Sequence, residues 1–291
     1  MNYNENVTRN SLGFYEISEK PSINDLKAYY QQKYFRICDS YKFALEDHEV
    51  KAKKIRSSLL LYSLGKLGIR PTCKFLEIGF GEGFLLDAAL EAGFDIKGLD
   101  FSVDQILDIN ENIISHVEST HSPIDTFLAL DHEFDVVCMQ HVLEHILDPL
   151  EFVTNIFHKL ESGSLVVVEV PNDFSVLQKY LIDHFHVQSP YWVSPPDHLS
   201  YFTEDSLIRL FQSSGFSHQL TIGSFPIEVF LFGEESNYKK YPEHGKSAHQ
   251  ARCLFDIFIV DSFGIDSLFS LYSTREMCQI SRSISCIFKK P

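Results

Sequence analysis

Positive charge is scarce in this chain: 25 Lys and Arg stand against 40 Asp and Glu, a formal net charge of −15. Such a field repels DNA, RNA and anionic lipid surfaces, so nucleic-acid and membrane partners are excluded. Cysteine is sparse and scattered: Cys38, Cys73, Cys138, Cys253, Cys278 and Cys286 form no C-x-x-C pair, which signals neither a zinc knuckle nor a disulfide framework. No apolar run approaches the roughly 18–20 residues that span a bilayer. The opening "MNYNENVTRN" lacks the basic-then-apolar layout of a secretory signal. A cytoplasmic protein with reduced thiols is expected. Tryptophan is nearly absent, one residue against 25 Phe and 13 Tyr, so the smaller rings must supply aromatic packing. There is no internal repeat or low-complexity tract.

What is present is a patterned globular chain, with 44% apolar residues over 291 positions, ample for a buried core. Residues 1–20 read as a loose polar arm. Helical periodicity follows in "SINDLKAYYQQKYFRIC" and in "FALEDHEVKAKKIRSSLLLYSLGKLG". From Cys73 short apolar strands alternate with helices: "CKFLEIG", "GFLLDAALEAG", "DIKGLDF", a helix from Ser102 to about His116, a strand near "IDTFLAL", "FDVVCMQ", "PLEFVTNIFHKLES" and "SLVVVEVPN". That alternation predicts an α/β fold with a mostly parallel sheet and helices on both faces. Residues 173–202, which hold the only Trp, read as a loop-rich cap. "TEDSLIRLFQSSG" carries a Thr203 cap and a Gly215 stop, "FSHQLTIGSF" is a strand, and "SISCIFKK" is the last strand after a long insertion. The predicted units are 1–70, a polar arm and helical lid; 71–223, the Rossmann-like domain; 224–282, an insertion shaping the acceptor site; and 283–291, the final strand.

"FLEIGFGEGFLLDAAL" places Gly79, Gly81 and Gly83 in a turn between strand and helix, where missing β-carbons let a ligand reach the backbone. In a dinucleotide fingerprint the third glycine falls one position later, and here that position is Phe84. Glu77, two residues before the first glycine, opposes an anionic pyrophosphate but suits a cation. S-adenosylmethionine carries a sulfonium and an ammonium and no phosphate, so it fits better than a nicotinamide cofactor. Asp100 ends the next strand, where a carboxylate accepts both ribose hydroxyls.

In combination these segments resemble the class I S-adenosylmethionine-dependent methyltransferases. "LEIGFGEG" looks like their first motif, "GLDF" the second, "FDVVCMQHVLEHILDP" the fourth-strand segment and "LVVVEVPN" the fifth strand. "PDHLSYFTEDSLIRLFQSSGF" is similar to a stretch in the subfamily with small-molecule and glycan-linked acceptors. The resemblance covers residues 73–223 and the last strand. It implies a seven-stranded Rossmann-like sheet, S-adenosyl-L-methionine as cofactor and S-adenosyl-L-homocysteine as product. Glu77, Gly79, Gly81 and Gly83 would frame the methionine part, Asp100 the ribose and Phe101 the adenine, with Gln140 and His141 lining the floor beside the methyl group. One departure is that no clear "GD"-type turn precedes the fourth strand; Asp125 is a candidate there for the adenine amino group, against the alternative of a surface aspartate.

Methyl transfer needs alignment at about 3 Å and often a base, and His145, His198 and His141 are the catalytic candidates. Tyr201, Phe202 and Trp192 are the expected acceptor wall. The expected reaction is O-methylation of a small molecule, a sugar or glycan-precursor hydroxyl, on an acceptor that is sugar-linked or anionic. Lys239, Lys240, Lys246 and Arg252 would receive the anion, against the alternative of a solvated loop. An NAD-dependent oxidoreductase and a non-catalytic cofactor-binding module are the rival readings. The H-x-x-E-H spacing of His141, Glu144 and His145 matches a zinc-protease signature. Asp148, Pro149 and Glu151, however, start a new helix at once, and no third ligand is signalled downstream. No metal is therefore expected.

Overall fold

The computed structural model describes residues 6–22, 25, 26, 29, 45–107, 109–131 and 133–291. The lid expected in "YYQQKYF" falls almost wholly outside them. The chain opens with β1 (Val7–Arg9) and β2 (Tyr15–Ile17), followed by α1 (Asp47–Lys66). The doubly wound part runs β3 (Lys74–Ile78), α2 (Phe84–Glu91), β4 (Asp95–Asp100), β5 (Val117–Ser119), α3 (Pro123–Ala129), β6 (Val136–Gln140), α4 (Pro149–Lys159), β7 (Leu165–Pro171) and α5 (Val176–Asp183). Then come β8 (Ser200–Tyr201), α6 (Glu204–Ser213), β9 (Ser217–Ile222), α7 (Gly245–Phe263), α8 (Ile265–Tyr272), α9 (Arg275–Ile280) and β10 (Ser283–Lys289).

Seven strands pair in the order β5-β4-β3-β6-β7-β10-β9. The first five are parallel, and β10 runs antiparallel to both β7 and β9. Side chains alternate across a strand, and the two cores follow from that. Val166, Val168 and Val170 of β7 join Leu76 and Ile78 on one face, while Leu165 and Val167 join Phe75 on the other. Every residue of β7 is buried, as an apolar run covered on both faces must be. The helix after β6 starts where the sequence predicts: Asp148 Oδ1 accepts the Glu151 N–H at 3.0 Å, with Pro149 in the first turn.

Three local expectations are corrected. The first-arm residues are no loose tail: Asn10 Oδ1 accepts the Leu12 and Gly13 N–H groups, closing a hairpin whose second strand pairs with Ser200–Tyr201. Ser102–His116 is not one helix but two short 3₁₀ turns, Asp104–Ile106 and Glu111–His116. Between them the Asn110 amide donates to the Glu82 carbonyl at 2.6 Å, which pins the chain to the glycine turn at the cost of helical continuity. "IDTFLAL" is helical, not a strand, because Pro123 sits in its first turn and Ser122 Oγ accepts from the Asp125 N–H. The edge strand is Val117–Ser119 instead.

Candidate active site

The carboxyl ends of β3, β4 and β6 converge on the glycine turn, where open α/β sheets place their ligands. Gly79, Gly81 and Gly83 all adopt positive φ, at 76°, 52° and 76°. At Gly79 a β-carbon would stand 2.7 Å from Val142 Cγ2, so both conformation and space demand glycine. Two cavities open on either side of this turn and share Gly79, Gly81, Gln140 and His141.

The first, ≈ 430 Å³, is lined by Asp100, Phe101, Gln105, Ser122, Pro123 and Ile124 besides the shared residues, with His145 at its edge. Asp100 is oriented by backbone: Oδ2 accepts the Gly81 N–H at 2.9 Å and Oδ1 the Phe101 N–H at 2.6 Å. Burial raises its pKa, and those same N–H groups oppose the rise. Phe101 is 42% exposed and lines the cavity. Asp125 is not among the lining residues; its carboxylate takes the Ser122 hydroxyl at 2.7 Å. Its neighbours Ser122, Pro123 and Ile124 line the cavity instead.

The second, ≈ 340 Å³, is more polar, with Glu77, Lys53, Arg56, Glu169, Arg252 and Asp256 among its lining. Glu77 is 1% exposed, and its Oε2 has no hydrogen-bond partner. Burial, with Asp100 and Glu169 nearby, raises its pKa well above the usual carboxylate range. An orphaned buried carboxyl costs stability and is the feature a bound ammonium would satisfy. The residues present therefore fit the amino-acid end of S-adenosylmethionine at Glu77 and its ribose at Asp100.

Glu169 and Arg56 are functional-site residues that the sequence reading missed. Glu169 Oε2 accepts the Ser285 hydroxyl at 2.7 Å and lies 3.4 Å from both Arg56 Nη2 and Gln140 Nε2. Burial works against its charge, but Arg56, His141 and Ser285 together hold its pKa below the usual carboxylate range. The signal was available: Glu169 is the one acid in the apolar "LVVVEVP", and a charge on a strand buried on both faces needs a purpose. Arg56 carried no such mark, because its partners, the Gly223 carbonyl at 2.9 Å and Glu169, are far away in sequence.

His141 sits in left-handed backbone, φ 54°. Its ring bridges Glu144 Oε1 at 3.3 Å and Glu169 Oε1 at 3.4 Å and is 49% exposed. Its half-buried setting disfavours charge, but the two carboxylates push its pKa up to about 10. The two carboxylates thus favour its protonated form, which has no lone pair to accept a proton. His141, Glu144 and His145 also do not share a helix face, because only Leu143–His145 is helical, as a single 3₁₀ turn. Burial disfavours the Glu144 carboxylate, but the hydrogen bond and charge of His141, with the nearby His145, together hold its pKa below the ordinary value. His145 Nδ1 lies 2.5 Å from the Asp197 carbonyl oxygen, and its ring meets that of His198 edge-on at 5.0 Å. Burial lowers the His198 pKa, which favours the neutral ring.

The expected acceptor wall is not what the packing provides. Tyr201 and Phe202 are 1% and 0% exposed, and Trp192 is 3%. None of the three lines either cavity. Trp192 and Tyr201 pack with Phe174 and Ile17, and Phe202 packs on Phe14 at 4.9 Å. The pocket wall comes from the insertion instead: Ser224, Phe225, His249, Arg252, Cys253 and Asp256 line the polar cavity. Of the expected basic cluster only Arg252 lines it. Lys240 pairs with Glu234, Lys246 with Glu46, and Lys239 stands over the Tyr191 ring at 3.9 Å.

Residues 30–219 match the family model of a methyltransferase domain. The chain belongs to the class I S-adenosylmethionine-dependent methyltransferases. Membership brings S-adenosylmethionine as the family's cofactor and sets the nicotinamide alternative aside. Over 106 residues the chain is 30% identical to a ubiquinone biosynthesis O-methyltransferase of Psychrobacter arcticus, covering 34% of this chain and 41% of that protein. A probable S-adenosylmethionine-dependent methyltransferase of Mycolicibacterium smegmatis is 26% identical over 152 residues, 52% of this chain and 54% of its own length. The chain thus spans about half the length of these curated relatives, or less. The fold is shared with the crystal structure of Burkholderia thailandensis 1,6-didemethyltoxoflavin-N1-methyltransferase with bound 1,6-didemethyltoxoflavin and S-adenosylhomocysteine, at TM-score 0.53 and 12% identity over 98% of each chain. Among the described residues, no helix is long and apolar enough to cross a membrane.

Proposed function

We propose that this methyltransferase transfers a methyl group to a hydroxyl oxygen of a small, polar acceptor, a sugar or glycan precursor, in the cytoplasm. The observation that carries the methyl-transfer reading is the unpartnered buried oxygen of Glu77, set across the glycine turn from an Asp100 already oriented by two backbone N–H groups. Bound there, the cofactor supplies an electrophilic methyl on a sulfonium. The chain supplies position. Glu77 takes the ammonium, Asp100 the ribose and Phe101 the adenine face. The glycine turn admits the ligand to the backbone, and Gln140 and His141 form the rim where the two cavities meet.

The polar acceptor class is supported by the second cavity, whose insertion-derived wall mixes Arg252, His249 and Asp256 with Ser224 and Phe225. A wall of this kind matches hydroxyl groups and an anionic substituent better than a purely apolar ring system. His145 and His198 are proposed to act on the acceptor hydroxyl. A second reading, a phenolic hydroxyl, is favoured by the ubiquinone biosynthesis O-methyltransferases among the relatives.

Calorimetry with S-adenosylmethionine, followed by mass-spectrometric detection of methylated product from nucleotide sugars, glycosides and phenols, tests both layers. Cofactor binding with product from a polyhydroxy acceptor is expected. Product from phenols alone would move the acceptor to the second reading, and cofactor binding with no turnover would favour a non-catalytic module.

A further inference from the structure

The 3₁₀ turn after β6 and the Pro-rich segment before β8 are stapled together, the Leu199 N–H donating to the Glu144 carbonyl at 2.8 Å. This staple brings Glu144, His145 and His198 into one cluster. One carboxylate oxygen of Glu144 and one ring nitrogen from each histidine all lie within 4.8 Å of one another. A second observation is independent of that proximity. Glu144 is 1% exposed, yet its Oε2 has no hydrogen-bond partner, and neither has the buried Nδ1 of His198. Two buried polar atoms left without partners in one cluster are expensive, and a bound cation would satisfy both, with the neutral His198 ring turning its lone pair at Nδ1 toward it.

We propose that Glu144, His145 and His198 bind a divalent first-row transition-metal ion, one that presents an open position to the acceptor's hydroxyl oxygen. Two imidazoles and a carboxylate leave coordination positions vacant, and this donor set selects zinc, cobalt, iron or manganese over magnesium, which prefers all-oxygen shells. Bonds of about 2.1 Å in tetrahedral geometry set ligands about 3.4 Å apart, so closing the trio asks for side-chain adjustments only. The surroundings are built as second shells are. The Asp197 carbonyl lies on His145 Nδ1 at 2.5 Å, His141 Nδ1 lies 3.3 Å from the other oxygen of Glu144, and Tyr201, donating its hydroxyl to the His198 carbonyl at 2.9 Å, anchors the strand of chain that carries His198.

His145 lines the adenosine-side cavity beside Gln140 and His141, so the ion would border the place where the two cavities meet. A hydroxyl taken onto such an ion would lose its proton to solvent water far more readily, by the effect that brings zinc-bound water to a pKa of about 7, and the resulting alkoxide oxygen would take the methyl as the bond from that methyl to the sulfonium sulfur breaks. The sequence reading set metal aside for want of a third ligand; His198, from across the cap, supplies it. This acceptor role rests on the methyl-transfer reading above, whereas the binding of the ion does not.

The test uses the full chain, stripped with chelator and titrated with Co²⁺, followed by its visible absorption and by calorimetry. One strong Co²⁺ equivalent with a d–d spectrum is expected, with Zn²⁺ displacing it and Mg²⁺ failing to. His198→Asn and Glu144→Gln should each weaken Co²⁺ at least tenfold. Absence of a strong equivalent in the wild-type chain, or equal Co²⁺ affinity in a variant that still binds S-adenosylhomocysteine, overturns the site. Calorimetry of S-adenosylhomocysteine on the stripped chain separates the two failures. Cofactor binding without Co²⁺ binding rejects only the metal, and Co²⁺ binding without cofactor binding rejects only the methyl-transfer reading.

Discussion

The two cavities that meet at Gln140 and His141 are built on opposite principles. On the adenosine side, Gly79, Gly81, Asp100 and Phe101 come from one strand, one turn and the end of the next strand, and the turn's own backbone orients Asp100. On the polar side, Arg56 comes from α1, Glu169 from β7, and Arg252 and Asp256 from α7. That side is held by ion pairs and by packing of α1 against α7. A site made from neighbours in sequence carries its own geometry. A site made from distant segments holds only while the whole assembly does.

The same contrast explains what was legible beforehand. The glycine turn and the placement of Glu77 and Asp100 beside it could be read because strand, turn, helix, strand and acid follow in order. Phe101 and Gln140 came with them. Glu169 and Arg56 could not be paired, because nothing local joins α1 to β7. Tyr201 and Phe202 follow the proline-rich stretch expected to fold over the acceptor, but the hairpin at residues 7–17, itself read as a loose arm, covers that face and turns them into core. Ser102–His116 has helical spacing, but burying Ile106 and Ile113 against Gly83 while Asn110 bonds the Glu82 carbonyl outweighs helix propensity.

The largest effect should come from removing the buried carboxyl proposed to pair with the cofactor's ammonium. Glu77→Gln keeps shape but leaves the cofactor's ammonium unpaired in a buried site, a loss typically of about 2–5 kcal/mol. S-adenosylmethionine affinity measured by calorimetry should fall on the order of 100-fold. The same variant should not lower the melting temperature at neutral pH, since a carboxyl whose folded pKa is raised costs stability once ionised. A fall in both would mean that Glu77 is a structural residue.

Asp100→Ala breaks only the local side and should weaken the cofactor at least tenfold. The polar cavity, whose lining does not include Asp100, should keep its acceptor KM. Unchanged cofactor affinity would remove the ribose assignment.

A pH series sharpens the contrast between Glu77 and Glu169, buried acids on β3 and β7 with opposite shifts. Glu77, raised, is protonated in the empty site over a window that begins at the ordinary carboxylate pKa and extends upward, and it must ionise to pair with an ammonium. Cofactor affinity should therefore fall as pH drops through that window, by up to about tenfold per pH unit. Binding there should release a proton, visible as a dependence of the calorimetric heat on buffer ionisation enthalpy. Glu169, held low by Arg56 and His141, stays ionised throughout and contributes no such slope. A flat affinity profile would show that the Glu77 carboxyl is already ionised without its ligand.

The smallest effect is expected from the insertion, and it bears on whether the polar cavity is the acceptor's. Arg252 lines that cavity, and its Nε donates to His249 Nδ1 at 3.0 Å, while His249 Nε2 lies 2.8 Å from Glu49 Oε1. Its contact to an anionic acceptor group would be one partly solvated charge among several, typically about 1 kcal/mol. Arg252→Ala should accordingly raise the acceptor KM about fivefold, with kcat and cofactor affinity little changed, because it touches neither Glu77 nor Asp100. Lys246→Ala is the control: Lys246 lies on the same helix, but its side chain is 81% exposed and paired with Glu46, so KM should not move. Equal effects of the two substitutions would mean that net charge, not a cavity contact, governs the acceptor. A change in kcat with KM constant would place Arg252 at the reacting atoms and shift the boundary between the two sides toward the insertion.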